Sequence, residues 1–233
     1  MASSPPFVTL PAGADPTPRR APRPRVLLID NVDSFTYNLL HALAAAGAPF
    51  GARCEVVTHD AAPAEELATR AWDGLVIGPG PCSPHEAGVT LPLLARLDQS
   101  LDVRPVLGIC LGHQAIAVAA GARISRARRA VHGATVTLQH DGRGCLAGLE
   151  PAPRVVRYNS LVVGPELPEV LEACAWDEHG DLMALRHREL PREGIQFHPE
   201  AWSSREGLGV LRTWMARLAR ACGSEAGRAG CRR

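Results

Sequence analysis

The chain has 233 residues, 46% of them hydrophobic, and a formal net charge of +1 at pH 7. This length and hydrophobic share predict one large domain with enough apolar residues for a sizeable core. A net charge so near zero gives no electrostatic reason to expect nucleic acid or a membrane surface as a partner. Seven cysteines without a C-x-x-C pair argue against a disulfide framework and against a zinc site, and a reducing cytoplasm fits them best.

The two ends of the chain differ in composition from the middle. Residues 1–24 are rich in proline, alanine and serine, and they contain no apolar run long enough for a signal peptide, so we predict a disordered N-terminal arm. Residues 222–233 are rich in glycine and arginine and predict a flexible C-terminal tail. The expected domain therefore spans residues 25–221.

The first half of this domain alternates strands with helices. Strands are expected at 25–30, 54–58, 74–77 and 106–109, with helices at 35–46, 63–69 and 115–120; Ser34 is the expected cap of the first helix and Gly47 its stop. This alternation predicts an α/β fold, a mostly parallel open sheet with helices on both faces. Such sheets place their sites at the carboxyl ends of the strands, where Asn31, Gly78 and Cys110 fall.

The second half changes to short strands. Residues 134–139 alternate, residues 154–163 hold two apolar runs, and residues 174–185 are typical of a hairpin, which together predict a small antiparallel extension of the sheet. Four arginines between 123 and 129 indicate either a solvated loop or a docking surface. Ser203 and Ser204 are candidate caps of a last, amphipathic helix.

Residues 106–114 read V-L-G-I-C-L-G-H-Q, a pattern typical of a buried strand that turns sharply into a helix at Cys110. Gly108 and Gly112 allow the close backbone approach of such a turn, as in the nucleophile elbow G-x-S-x-G. A cysteine at a helix N-terminus is favoured as a thiolate and is a candidate nucleophile. The alternative is that Cys110 is a small buried hydrophobic residue.

Residues 196–200 read Q-F-H-P-E. In an extended segment His198 and Glu200 point to the same side, so Glu200 could orient His198 as the base of a Cys-His-Glu set with Cys110. Gly78-Pro79-Gly80-Pro81 follows a predicted strand and indicates either an ordinary turn or a loop that offers backbone amides to an oxyanion. Cys82 is interpreted as structural or as a bystander thiol near the mouth of the site, and His113 as structural or as a support of the pocket.

Five blocks of this sequence together resemble a known family. G-I-C-L-G-H-Q at 108–114, G-P-G-P at 78–81 and Q-F-H-P-E at 196–200 resemble the signature blocks of class I (triad) glutamine amidotransferases. D-N-V-D-S-F-T-Y-N at 30–38 and Y-N-S-L at 158–161 resemble more narrowly the glutaminase component of anthranilate synthase and aminodeoxychorismate synthase.

The resemblance implies hydrolysis of the side-chain amide of L-glutamine through a Cys110 thioester, without a metal or an organic cofactor. It implies that Gly78, Pro79, Gly80 and Leu111 form the oxyanion and glutamine-binding loop, and that glutamine is also held by Gln114, Ser160 and Leu161. The ammonia would pass to a chorismate-binding synthase, expected on a separate chain because no second domain follows Arg220.

Two features leave the function open. Asn159 departs from the Y-H-S-L of many relatives, and A-W-S-S after Glu200 departs from S-I-x-T, so the identity of the synthase partner and of the aminated product is not determined. The alternatives are a stand-alone cysteine hydrolase or γ-glutamyl peptidase on the same fold, and a catalytically silent partner. The first would be active alone; the second would need a broken triad, whereas all three residue types are present.

Overall fold

The computed structural model of the chain describes residues 23–204 and 206–230. The strands of this part are β1 (Arg25–Asp30), β2 (Arg53–Thr58), β3 (Gly74–Ile77), β4 (Val106–Ile109), β5 (Ile124–Arg126), β6 (Ala134–His140), β7 (Arg154–Arg157), β8 (Leu161–Val163), β9 (Leu171–Asp177), β10 (Leu182–His187) and β11 (Arg192–Ile195). The α-helices are α1 (Thr36–Gly47), α2 (Ala64–Thr69), α3 (Thr90–Gln99), α4 (Leu111–Ala119) and α5 (Gly207–Gly230). The predicted disordered arm lies outside the described residues except for Arg23 and Pro24.

One nine-stranded sheet has the order β2-β1-β3-β4-β11-β10-β9-β6-β7, and β5 pairs with β8 in a separate antiparallel ribbon. The neighbouring strands β2, β1, β3, β4 and β11 pair in parallel. The remaining pairs, β11 with β10, β10 with β9, β9 with β6 and β6 with β7, are antiparallel. The predicted mostly parallel α/β sheet with an antiparallel extension is therefore confirmed. Strands β3, β4 and β11 are buried along their whole length, as expected for parallel strands covered on both faces.

Helices cover both faces of the parallel half. Because side chains alternate along a strand, Val26 and Leu28 of β1 join one core cluster, together with Leu39 of α1 and Trp214 of α5. The intervening residues of β1 join a second cluster with α2, α3 and α4. The strand ends that carry the polar loops are thus held between two apolar layers.

Helix α1 agrees with the predicted span 35–46 within one residue at each end, but the predicted capping by Ser34 is wrong. The helix begins at Thr36 without any side-chain cap, and Gly47 is its last helical residue. The Asp30 carboxylate at the end of β1 accepts a hydrogen bond from the Thr36 hydroxyl at 2.6 Å and organises this turn, so a hydroxyl at position 34 is not required. The left-handed glycine that redirects the chain comes later, at Gly51 with φ 62°.

The helical predictions miss two further points. Helix α3 was not predicted, although it buries Leu93, Leu94 and Leu97 against the sheet. The last helix begins at Gly207, and the Ser204 hydroxyl has no hydrogen-bond partner among the described residues, so the predicted capping by Ser204 is wrong. A Cβ at Gly207 would lie 2.3 Å from the Pro199 carbonyl oxygen, which explains the glycine there. Helix α5 continues to residue 230, into the segment expected to form a flexible tail.

Candidate active site

Cys110 lies at the sharp turn between β4 and α4, as the sequence predicted. Its backbone has φ 53° and ψ −103°, a conformation that non-glycine residues rarely adopt and that structures retain mainly at functional sites. A Cβ at Gly108 would lie 2.3 Å from the Gly112 carbonyl oxygen, and one at Gly112 would lie 2.1 Å from the Ile77 carbonyl oxygen. Both positions of the elbow therefore require glycine.

The Cys110 side chain is 6% exposed and contacts a second buried polar residue, Gln196. The Gln196 amide nitrogen donates to Cys110 Sγ at 3.6 Å, and the Cys110 N–H donates to the Ile195 carbonyl at 2.8 Å. Gln196 was not among the predicted site residues. The available signal was its place in the sequence, directly after β11 and inside the block already singled out for its histidine.

His198 and Glu200 form a buried pair, with 2.7 Å between His198 Nδ1 and Glu200 Oε1. Their side chains are only 3% and 1% exposed. The extended backbone predicted for this segment is wrong, because Pro199 and Glu200 form a turn in which the Ala201 N–H donates to the His198 carbonyl at 3.3 Å. This turn, rather than the side-chain alternation of a strand, brings the carboxylate to the imidazole.

Burial has the largest single effect on the pKa of His198 and lowers it, but interactions with Cys110 and then with Glu200 outweigh burial and raise the pKa to about 10. The imidazole is therefore protonated at neutral pH. His113 differs: burial lowers its pKa to about 4, so this fully buried histidine is neutral. Its Nδ1 would lie 2.9 Å from a Cβ on Gly194, which places it against β11, in agreement with a structural role.

The loop of Gly78 and Gly80 lies between the end of β3 and the start of α4. The Gly78 N–H donates to Ile29, and the Gly78 carbonyl accepts from the Asn31 side chain at 3.0 Å. A Cβ at Gly80 would lie 2.7 Å from Asn31 Cβ and 3.1 Å from a methyl carbon of Leu111. The three strand ends expected to meet are thus brought together, with Gly80 against the first residue of α4.

An open cleft of about 910 Å³ contains most of the predicted site residues. Those that line it are Cys110, His198, Gly80, Leu111, Gln114, Ser160 and Leu161. Gly78, Pro79 and Glu200 are not part of its wall; Glu200 instead lies behind His198.

The cleft also has aromatic walls that the sequence did not indicate. Tyr158 lies edge-on to His198, with ring centroids 5.2 Å apart, and contacts Phe35 at 5.6 Å and His132 at 5.7 Å. No spacing rule links residues 35, 132 and 158, so only the folded chain brings these rings together.

One group of described residues has the composition of a metal site, but it lies in the antiparallel half of the sheet. Asp141, Glu172 and Cys174 offer ligand atoms within 4.8 Å of one another. Arg186 forms ion pairs with both carboxylates, so their charge is already compensated by the protein. Within the described residues, no helix is both long and apolar enough to cross a membrane.

Two solved structures share this fold. A protein described as part of a GMP synthase from Thermoplasma acidophilum superimposes with a TM-score of 0.76 over 88% of this chain and 98% of its own, at 21% identity. A glutamine amidotransferase from Thermotoga maritima gives a TM-score of 0.66 over 84% and 98% of the two chains, at 16% identity. At these identities the similarity defines the class of fold alone.

The sequence profile of the family "Glutamine amidotransferase class-I" matches residues 27–218. This chain belongs to the class I glutamine amidotransferase family. It is 42% identical over 196 residues to anthranilate synthase component 2 of Pseudomonas aeruginosa, covering 82% of this chain and 94% of that protein. It is 40% identical over 191 residues to aminodeoxychorismate/anthranilate synthase component 2 of Bacillus subtilis, covering 82% and 95%. It is 48% identical over 187 residues to aminodeoxychorismate synthase of Streptomyces griseus, covering 80% of this chain but 25% of that longer protein.

Proposed function

We propose that this chain is the glutaminase component of a chorismate-aminating synthase, with Cys110 as nucleophile, His198 as proton carrier and Glu200 as the group that orients the histidine. One observation carries the proposal: a cysteine on a glycine-flanked elbow lines the same open cleft as a histidine whose Nδ1 lies 2.7 Å from a buried carboxylate oxygen. A nucleophile, a base and an orienting group are the three parts that amide hydrolysis by a cysteine requires.

The raised pKa of His198 defines the order of the proton transfers. At this pKa the imidazole carries its proton before glutamine binds, and a cysteine attacks an amide as the thiolate. The thiolate attacks the amide carbon, and the imidazolium then gives its proton to the leaving ammonia. The neutral imidazole can then take a proton from the water that cleaves the thioester.

The backbone amides of Leu111 and Gly80 are the proposed donors to the tetrahedral oxyanion. Leu111 is the first residue of α4, where N–H groups lack partners within the helix, and Gly80 contacts it. A donor of this kind lowers the barrier by about 3 to 4 kcal/mol in another hydrolase. Gly78 and Pro79 position this loop, since they lie behind the cleft wall. Gln114, Ser160 and Leu161, which also line the cleft, hold the glutamine.

The partner is proposed to be a chorismate-binding synthase on a separate chain, in the cytoplasm. This part rests on relatives named component 2, of which this chain covers 94% and 95%. Relatives named for both activities match this chain, so the proposed product is either 4-amino-4-deoxychorismate or anthranilate. A stand-alone cysteine hydrolase would instead be fully active without any synthase.

The test compares glutamine and ammonium salts as nitrogen sources for the complex with its synthase. Cys110→Ser should abolish product formation from glutamine, by at least about 10³-fold, because a serine hydroxyl is not ionised at neutral pH. Formation from ammonium should stay within twofold, because amination takes place on the synthase. The measurement is the rate and the chemical identity of the aminated product.

Each other outcome contradicts a different part of the proposal. Loss of both activities would mean that Cys110 acts in assembly, and loss of neither would reject it as the nucleophile. Full glutaminase activity of the isolated chain would favour the stand-alone hydrolase.

A further inference from the structure

Arg157, at the end of β7, is fully buried and is held by two carboxylates. It pairs with Asp177, and its Nη2 lies 3.1 Å from Asp181 Oδ2; both carboxylates belong to the β9–β10 hairpin. Its remaining Nε donates to Asn159 Oδ1 at 3.0 Å. The buried charge is therefore compensated, and its geometry is determined by three partners.

This contact determines which way the Asn159 amide points. A guanidinium group has only donors, so the Asn159 atom that faces Arg157 must be the oxygen. The amide nitrogen then faces the other side, where it donates to the Leu161 carbonyl at 2.9 Å. The side chain of Asn159 thereby spans the two peptide units that contain Ser160 and Leu161, both of which line the cleft.

The Leu161 carbonyl accepts a second hydrogen bond, at 2.9 Å, from Gln114 Nε2. Both of its lone pairs are thus in use. Gln114 Nε2 also donates to Gln196 Oε1 at 3.0 Å, and Gln196 Nε2 contacts Cys110 Sγ. A continuous hydrogen-bonded series therefore runs from the Arg157 ion pairs to the nucleophile, and Asn159 is the link between its charged and its neutral half.

We propose that Asn159 is a positioning residue for glutamine: its amide nitrogen holds the Leu161 carbonyl, and with it the 160–161 wall of the cleft, in the orientation that binds substrate. This inference rests on the glutaminase function proposed above. A neutral imidazole also offers one donor and one acceptor nitrogen, so the histidine of Y-H-S-L relatives can make the same two contacts. Asn159, which stands where those relatives have histidine, therefore makes both contacts with a side chain that has no titratable group.

The experiment uses the complex of this chain with its synthase. Asn159→Asp keeps an acceptor for Arg157 but places a second oxygen against the Leu161 carbonyl. The KM for glutamine should rise at least tenfold, with kcat within threefold, because the wall binds ground state and transition state alike. The rate with ammonium and the melting temperature should change little. Asn159→His should return the KM to within threefold of wild type.

Two further variants keep the outcome decisive. Asn159→Ala removes both contacts without adding a charge and should also raise the KM, which covers the case in which the buried aspartate prevents folding. Asn38→Asp makes the same chemical change on the exposed face of α1 and should leave the KM unchanged. An unchanged KM for glutamine in Asn159→Asp and Asn159→Ala would overturn the inference. Loss of both folding and the ammonium-dependent rate in Asn159→Ala would also overturn it, because the residue would then act in stability alone. If the wild-type complex itself does not use glutamine, the proposed function fails instead.

Discussion

His198 is the residue at which burial and charge oppose each other most directly. Removal from water disfavours an imidazolium, yet the Cys110 sulfur on one side and the Glu200 carboxylate on the other favour it more, and the pKa rises to about 10. Tyr158 covers the ring edge-on and adds no formal charge. The site therefore keeps a proton on a buried group, where the leaving ammonia needs it.

This proton makes a stability prediction with a definite sign. The pKa of an unfolded histidine is about 6.5, so a folded value near 10 means that protonation stabilises the native state. The contribution of His198 is complete below about pH 6.5 and is lost as the pH rises through 10. The free energy of unfolding of wild type minus that of His198→Gln should therefore fall between pH 6.5 and pH 10.

Chemical unfolding of both proteins at half-unit pH intervals measures this difference. Cys110, Glu200 and Tyr158 face the imidazole and are present in both proteins, so the difference reports the protonation of His198 together with its coupling to these neighbours. A difference that stays flat, or grows with pH, would contradict the assignment of the proton to His198.

At the scale of elements, the elbow between β4 and α4 is built by backbone contacts rather than by side chains. Gly112 allows the start of α4 to lie against the Ile77 carbonyl at the end of β3. Gly108, in β4, allows the same first turn of α4 to lie close to β4. These two contacts place Cys110 where β3, β4 and β11 end together. The strained φ of Cys110 persists because its surroundings leave no room for another conformation.

Gly112→Ala should destabilise the chain by about 3 kcal/mol, the upper end of the range for overpacking, because its Cβ would meet a carbonyl oxygen that cannot move away. Gly223→Ala is the matched control. Gly223 lies in α5 with no other atom within 4 Å of its Cβ position, so alanine should add roughly 0.8 to 1 kcal/mol of stability there. Equal effects of the two changes on urea unfolding would argue against a close-packed elbow.

At the scale of the whole molecule, several large apolar side chains are exposed near the cleft. Val32 and Tyr37 are 62% and 67% exposed, on either side of the cleft residue Phe35, which is itself 38% exposed. Trp202, two residues after Glu200, is 97% exposed. Exposed aromatic residues at a site proposed to deliver ammonia to another chain fit a docking surface for the proposed synthase.

Trp202→Ala should weaken binding of the synthase at least tenfold, because buried tryptophans often dominate the energy of an interface. Stability should not change, since the side chain has almost no contacts within the chain. Trp176→Ala, on β9 and 40% exposed, is the matched control and should leave affinity unchanged. Titration calorimetry with the synthase measures both; equal affinities for wild type and Trp202→Ala would place the interface elsewhere.

The sequence alone determined some of the local features of this protein. Alternating strands and helices predicted the parallel sheet, because periodicity reports which faces are buried. Two glycines around Cys110 predicted the elbow, because only that spacing permits the backbone approach seen there. The pairing of Glu200 with His198 was also predicted, although the turn that produces it was not.

Only the tertiary structure decided the individual hydrogen bonds between residues far apart in the chain. Gln196 reaches Cys110 across 86 positions, and Gln114 reaches Leu161 across 47. Neither contact corresponds to a periodic pattern in the sequence, because hydrogen bonds between loops and strand ends depend on the order in which the strands pair. The same reason explains why Asn159 reads as a mere departure from a motif in the sequence, whereas in the folded chain it joins a buried arginine to the wall of the cleft.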